Sequence, residues 1–291
     1  MRLFLLVFFI STCPSIRSQS RIIGGGEINI QKAPWMANIR VVNTAGAKLF
    51  NRSGIIISEN LVITASHNWP VQIYDHLEVH VGGTSESDGK YRRVHRFIQH
   101  PDFDITLLEL SEPLDFDSNI QPIDYKTCMD ESLYVPGTDA VIYGWGKECL
   151  ETGAASLKLR SADVKIISKE EANMIYGAAV VPDDAIASKG KTIQMAGKGD
   201  SGGALVVSCS MQNPALVGIT TLADTRDESE NSGLTVYAKV KPIIEWIDSC
   251  KCELTGRDTV PSTGGLFEIA NMPPEVKSVE WTYSGLTEIN S

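Results

Sequence analysis

Short runs of β-branched and aliphatic residues recur from about residue 22, separated by turn-forming residues: SGIIIS, LVITAS, LEVHVGG, ITLLEL, AVIYGWG, ALVVSC, ALVGITTL and LTVYAKV. Runs of this length and rhythm predict an all-β chain of short antiparallel strands, as a sandwich or barrels, and argue against alternating βαβ units. One helix is predicted near the end, where KPIIEWIDSC sets Pro242 at the start and Ile243, Ile244 and Ile247 at helical spacing. After Leu254 the pattern stops. TGRDTVPSTGG is rich in Thr, Gly, Ser and Pro, the rest has no clear period, and 255–291 is expected to be a mobile tail.

The first twenty residues follow a different logic. MRLFLLVFFISTCPSIRSQS has a positive charge, an apolar run from Leu3 to about Ile10, then small polar residues with a cleavage site near Ser15 or Ser18. That order is a secretory signal peptide, residues 1–18, too short to span a membrane, and it predicts a secreted, extracellular protein. At 291 residues and 43% hydrophobic content, the remainder can bury a sizeable core as one large all-β unit or two smaller ones. A net charge of −10 gives no electrostatic drive toward nucleic acid or an anionic membrane, so neither is an expected partner. Of six cysteines, Cys13 leaves with the signal; Cys128, Cys149, Cys209, Cys250 and Cys252 remain. An odd number in an oxidising compartment leaves at least one thiol or an intermolecular pair, and no spacing resembles a zinc site.

The chemistry concentrates in three stretches. GKGDSGGAL carries Ser201 after an aspartate and among glycines, which let a backbone approach a substrate closely. A nucleophilic serine also needs a base, a group to orient that base, and N–H donors for the oxyanion. LVITASHNW supplies His67 after one β-rich run, and HPDFDITLLEL supplies Asp104 just before another, with Asp102 a competing carboxylate. Histidine, aspartate and serine in that chain order form a known triad arrangement.

On RIIGG, TASH, DITLLEL, GWG, GDSGG, LVGI and VYAKV, in order, residues 22–254 resemble the chymotrypsin-like serine proteases. The resemblance implies two packed six-stranded antiparallel β-barrels with a C-terminal helix and an active site between the barrels. It implies His67 as general base, Asp104 as the group that orients it, Ser201 as nucleophile, and the N–H groups of Gly199 and Ser201 as the oxyanion hole. It further implies a zymogen. Residues 19–21 form a short activation peptide, a trypsin-like protease cuts after Arg21, and the freed amino group of Ile22 pairs with Asp200. Protein or peptide substrates and protein protease inhibitors are the implied partners of a monomer that uses no cofactor and no metal.

The departures from the family carry information too. Asn68 and Arg52 stand where a disulfide usually follows the catalytic histidine, Gly197 replaces a half-cystine near the serine, and Ala172 and Ser188 replace another pair. Cys128 pairing with Cys250 or Cys252 is the resemblance's first suggestion. The pocket floor falls on Met195, its walls on Ala223 and Thr235, its backing residue on Leu222 and its mouth on Lys198. A floor without a carboxylate disfavours Lys and Arg side chains, whose charge would be buried unpaired. The pattern resembles elastase-like enzymes that accept small uncharged residues. Glu86 and Asp88, with Gly83, read as a solvated turn and not a calcium loop. Asn51-Arg52-Ser53 is an N-glycosylation sequon, which the resemblance puts near the leaving-group side of the cleft. The alternative reading is a serine protease homologue, weakly active or inactive, acting as a binding or regulatory protein.

Overall fold

The computed structural model describes residues 22–67, 75–85, 88–126, 130–145, 158–177, 181–192, 194–197, 199–209, 213–223 and 233–254. The signal and activation segments, the tail, Asn68, Glu86, Cys128, Cys149 and Lys198 lie outside them. Contacts divide the chain into two units, Met1–Ile244 and Glu245–Ser291.

The first unit opens with a two-residue strand, β1 (Gly26–Glu27), and then builds a closed barrel. Its strands are β2 (Met36–Val42), β3 (Lys48–Ile56), β4 (Leu61–Thr64), β5 (His76–Val81), β6 (Lys90–Gln99) and β7 (Thr106–Leu110), closed in the order β2-β3-β4-β7-β6-β5. The cause is visible in β5, where Leu77, Val79 and Val81 are buried and alternate with half-buried His76, Glu78 and His80. Period-two alternation gives one face to the core and one to the outside. Those three residues join Ala37, Ile39, Val41, Ile56, Val62, Leu108 and Leu110 in the barrel interior. Each full burial of a Val, Leu or Ile there stabilises the fold by roughly 1.5–3 kcal/mol.

The second barrel is made of β8 (Asp139–Gly144), β9 (Arg160–Ile167), β10 (Ala185–Gly190), β11 (Ala204–Ser208), β12 (Pro214–Ala223) and β13 (Leu234–Lys239). The sheet runs β9-β10-β13-β12-β11-β8, and pairing of β8 with β9 closes it, while β1 adds at the edge of β9. All pairings within both barrels are antiparallel. The core here includes Ile142, Val164, Ile166, Leu205, Val207, Val217, Tyr237 and, from the start of the described chain, Ile22.

Between β9 and β10 lies the helix α1 (Lys169–Tyr176). Ser168 caps it by accepting from the Glu171 N–H at 3.1 Å, and Gly177 ends it in the left-handed region at φ 75°. Ala172 on this helix is fully buried with Val181, Ala187, Leu234 and Val236. Ser188 lies in β10, hydrogen-bonded to the Tyr237 hydroxyl at 2.7 Å. Apolar packing and a buried hydrogen bond therefore occupy the two positions that the resemblance would pair as half-cystines. At the other departure, the Arg52 guanidinium lies 4.9 Å from the Phe50 ring centre, and burial lowers its pKa.

In the second unit the described part is helical. At the end of the first unit Pro242 stands in a 3₁₀ turn, Lys241–Ile243, that leads into α2 (Ile244–Leu254), as its position at a helix start predicts. Ile247 and Cys250 are buried. The suggested pairing of Cys128 with Cys250 or Cys252 falls on Cys128, outside the described residues. Cys209 is in a disulfide.

Candidate active site

Strands β4 and β7 pair antiparallel with Thr64 opposite Thr106, so the end of β4 and the start of β7 lie at the same edge of the first barrel. His67 follows Thr64 and Asp104 precedes Thr106 at that edge, and the turn between them is stitched by two further bonds. The hydroxyls of Ser66 and Thr106 share a hydrogen bond of 2.6 Å, and the Ser66 N–H donates to the Asp104 carbonyl at 3.3 Å. Asp104 then uses both carboxylate oxygens on His67: Oδ1 accepts from the backbone N–H and Oδ2 meets Nδ1, each at 2.6 Å. Asp102 takes no part in this; its N–H donates to His100 Nδ1 at 3.0 Å.

Across the junction of the barrels, Ser201 Oγ lies 2.9 Å from His67 Nε2. A carboxylate only accepts, so Nδ1 carries the proton and Nε2 is left as the acceptor for the serine hydroxyl. The His67 and Asp104 side chains are 27% and 34% exposed.

The turn that presents Ser201 is held by the second barrel from below. The Gly202 N–H donates to the Thr220 carbonyl, the Thr220 N–H to the Gly203 carbonyl, and the Gly203 N–H to the Asp200 carbonyl, at 2.8–2.9 Å. Gly199 at φ 101° and Gly202 at φ 84° occupy backbone conformations that other residues rarely adopt. Asp200 is fully buried; its Oδ2 accepts from the Gly197 N–H at 2.7 Å, and Gly144 packs against the carboxylate so closely that a side chain there would collide with it. Ile22 is also fully buried, with φ 31°. The Met195 N–H donates to the Ile23 carbonyl at 3.2 Å, so the start of the described chain is laid beside the Ser201 segment.

Of the expected pocket residues, Met195 is 5% exposed and Thr235 is fully buried. Thr235 Oγ1 accepts the Ala196 N–H at 3.0 Å, which ties β13 to the segment that follows Met195. Ala223 sits opposite Thr235 across the β12–β13 pair, and Leu222, 38% exposed, opposite Val236. Lys198 and Arg21 lie outside the described residues. Asn51 is half-buried on β3 opposite Arg40.

Four residues with a part in this site escaped the sequence reading. His100 Nδ1 accepts from the N–H groups of both Asp102 and Phe103, shaping the turn before Asp104. Burial lowers the His100 pKa, with Asp102 partly opposing, which suits an imidazole used as a neutral acceptor. Gly144 was quoted within a motif without its reason, and Ser53 and Thr64 carried no signal beyond strand propensity.

Two antiparallel barrels with a serine, an imidazole and a carboxylate hydrogen-bonded in line at their junction define a serine hydrolase of the chymotrypsin type. The family model described as Trypsin matches residues 22–247, and the chain belongs to that family. It is 31% identical to Hypodermin-A of Hypoderma lineatum, covering 70% of this chain and 78% of that protein. To Trypsin iota of Drosophila melanogaster it is 29% identical, covering 84% and 93%, and to Cathepsin G of Homo sapiens 27% identical, covering 84% and 92%. By that membership it is a serine endopeptidase acting on protein substrates. No helix among the described residues is long and apolar enough to cross a membrane.

Proposed function

We propose that this endopeptidase is secreted by its 1–18 signal, kept as a zymogen until a trypsin-like protease cuts after Arg21, and cleaves peptide bonds after small uncharged residues. The observation that carries the catalytic reading is the line of hydrogen bonds Asp104–His67–Ser201 at 2.6 and 2.9 Å. As Ser201 Oγ attacks the substrate carbonyl, His67 Nε2 takes its proton and Asp104 stabilises the imidazolium. The negative charge that moves to the substrate oxygen falls to the N–H groups of Gly199 and Ser201. His67 then returns the proton to the leaving amine, and water repeats the sequence on the acyl-enzyme to release the acid.

For activation, the supporting facts are the full burial of Ile22 and Asp200 and the bond from Met195 to Ile23. A new ammonium at Ile22 would find a buried carboxylate, and each charge is tolerable there only with the other. For specificity, the support is a floor of buried Met195 and a wall in which Thr235 is spent on Ala196, neither of which offers a carboxylate to a basic side chain. Monomeric action, protein inhibitors and a glycan on Asn51 belong to the same reading; intact mass before and after glycosidase treatment checks the glycan.

The deciding experiment labels Arg21-cleaved protein with a fluorophosphonate probe, with Ser201→Ala as control. Labelling at Ser201 alone is expected; an unlabelled folded protein overturns the catalytic reading and favours a binding role. A peptide-library profile dominated by Arg or Lys overturns the specificity, and full activity in protein beginning at Gln19 or Ser20 overturns the zymogen.

A further inference from the structure

We propose that the hydroxyl of Ser53, on the opposite barrel and 146 residues from Gly199, is a positioning group that locks the oxyanion turn; this rests on the catalytic reading of Ser201. Ser53 lies on β3 and is fully buried. Its backbone N–H donates to the Ser201 carbonyl at 3.1 Å, and its Oγ donates to the Gly199 carbonyl at 3.3 Å. Those are the carbonyls of the two residues whose N–H groups face the developing oxyanion. Ser53 is held in turn: the Thr64 hydroxyl donates to the Ser53 carbonyl at 2.7 Å. Gly202 completes the fit, since any side chain there would run into Thr64 Oγ1 and the Ser53 carbonyl.

The reason such a lock matters lies in the backbone of Gly199. A peptide unit is planar, so fixing a residue's carbonyl fixes its ψ and, with φ, the direction of its own N–H. Glycine has the widest choice of φ and ψ of any residue, and Gly199 sits at φ 101°. Nothing in its own chemistry keeps the N–H aimed at a substrate. The Ser53 hydroxyl supplies that restraint from outside the turn, and the adjacent Ser53 N–H restrains Ser201 in the same way. The hydroxyl bond is long for its type, so its share is to bias the turn while the 3.1 Å backbone bond anchors it.

Ser53→Ala tests this, because it removes the hydroxyl and leaves the backbone bond. Losing an oxyanion donor outright lowers kcat by about 10²–10³-fold, so loosening one should lower kcat by roughly tenfold. The expected result is that fall in kcat with KM unchanged, an equal fall in affinity for a peptide aldehyde that forms a tetrahedral adduct, and faster amide exchange confined to 199–203. Ser53→Thr, which keeps the hydroxyl, restores kcat. Unchanged kcat and aldehyde affinity, or a loss shared equally by KM, overturns the proposal. So does unchanged exchange at 199–203, which is read whether or not the protein turns over; an unlabelled parent in the fluorophosphonate assay instead overturns the catalytic reading.

Discussion

Gly144→Ala puts the burial of Asp200 to a direct test. A methyl at Gly144 would stand 2.7 Å from Asp200 Cγ and closer still to Oδ1, where real Cβ atoms keep at least 3.0 Å. Gly144 is paired to Arg160 on β9, so strand and carboxylate must part by several tenths of an ångström at Cγ and by more at the oxygen. The carboxylate has little room to go, because it is fully buried and Oδ2 is held by the Gly197 N–H at 2.7 Å. Overpacking of a tight site costs about 1–3 kcal/mol. Weakening a hydrogen bond to a buried charge adds about 1.5–3 kcal/mol. A loss of roughly 3–5 kcal/mol lowers the Tm of a domain this size by about 6–20 °C. Asp200 also accepts from Gly203 through its carbonyl, so the same displacement disturbs the turn that carries Ser201. Loss of hole geometry lowers kcat by up to about 10²–10³-fold. Differential scanning calorimetry and steady-state kinetics on the activated protein measure both. A variant with parental Tm and kcat would refute the argument that Asp200 fills the space in front of Gly144.

Three further outcomes are expected. Thr235→Val leaves the buried Ala196 N–H without its acceptor and should cost about 1–3 kcal/mol by urea titration, with altered preference in a peptide-library profile. Ser188→Ala removes the buried bond to Tyr237 and should cost about 1 kcal/mol by the same measurement, the Thr235 contact of Tyr237 limiting the loss. His100 has its folded pKa below the ordinary 6.5 because burial disfavours the imidazolium, so its contribution to stability is full above that pH and is lost as the pH falls through the lowered value. Urea midpoints measured downward from neutral pH should therefore fall less steeply in His100→Ala than in the parent, and identical slopes would refute the assignment.

What the sequence made legible was what repeats locally. Every run of β-branched residues quoted from it lies on a strand, because alternation along the chain is itself the signature of a half-buried face. Strand β6 escaped because KYRRVHRFIQ is exposed along most of its length, and its pairing with β5 and β7 comes from those neighbours. The short helix α1 escaped a periodicity reading because eight residues give barely two turns, although Ser168 and Glu171 stand at capping-box spacing. In the site, His67, Asp104 and Ser201 were legible from motif order, and the 2.6 Å bond separates Asp104 from Asp102. Ser53 and Gly144 were not legible, since what distinguishes each is an atom it meets tens of residues away. Thr235 was expected as a wall; that its hydroxyl is committed to Ala196 could be seen only in the folded chain.

The placement of these residues also orders the site's weak points. His67 and Asp104 belong to neighbouring strands of one barrel, joined by Thr64–Thr106 pairing and the Ser66 hydroxyl bond, so their mutual geometry is a property of that barrel alone. Ser201 belongs to the other barrel, anchored through Gly202 and Gly203 to β12. Any slippage at the junction therefore lengthens the His67–Ser201 bond while sparing His67–Asp104. The Ser53–Ser201 backbone bond spans the same two bodies beside the reacting atoms. A strut parallel to the bond that must be kept resists the displacement that would break it. The first barrel thus contributes more than His67 and Asp104: through β3 it also holds Ser201 of its neighbour in register.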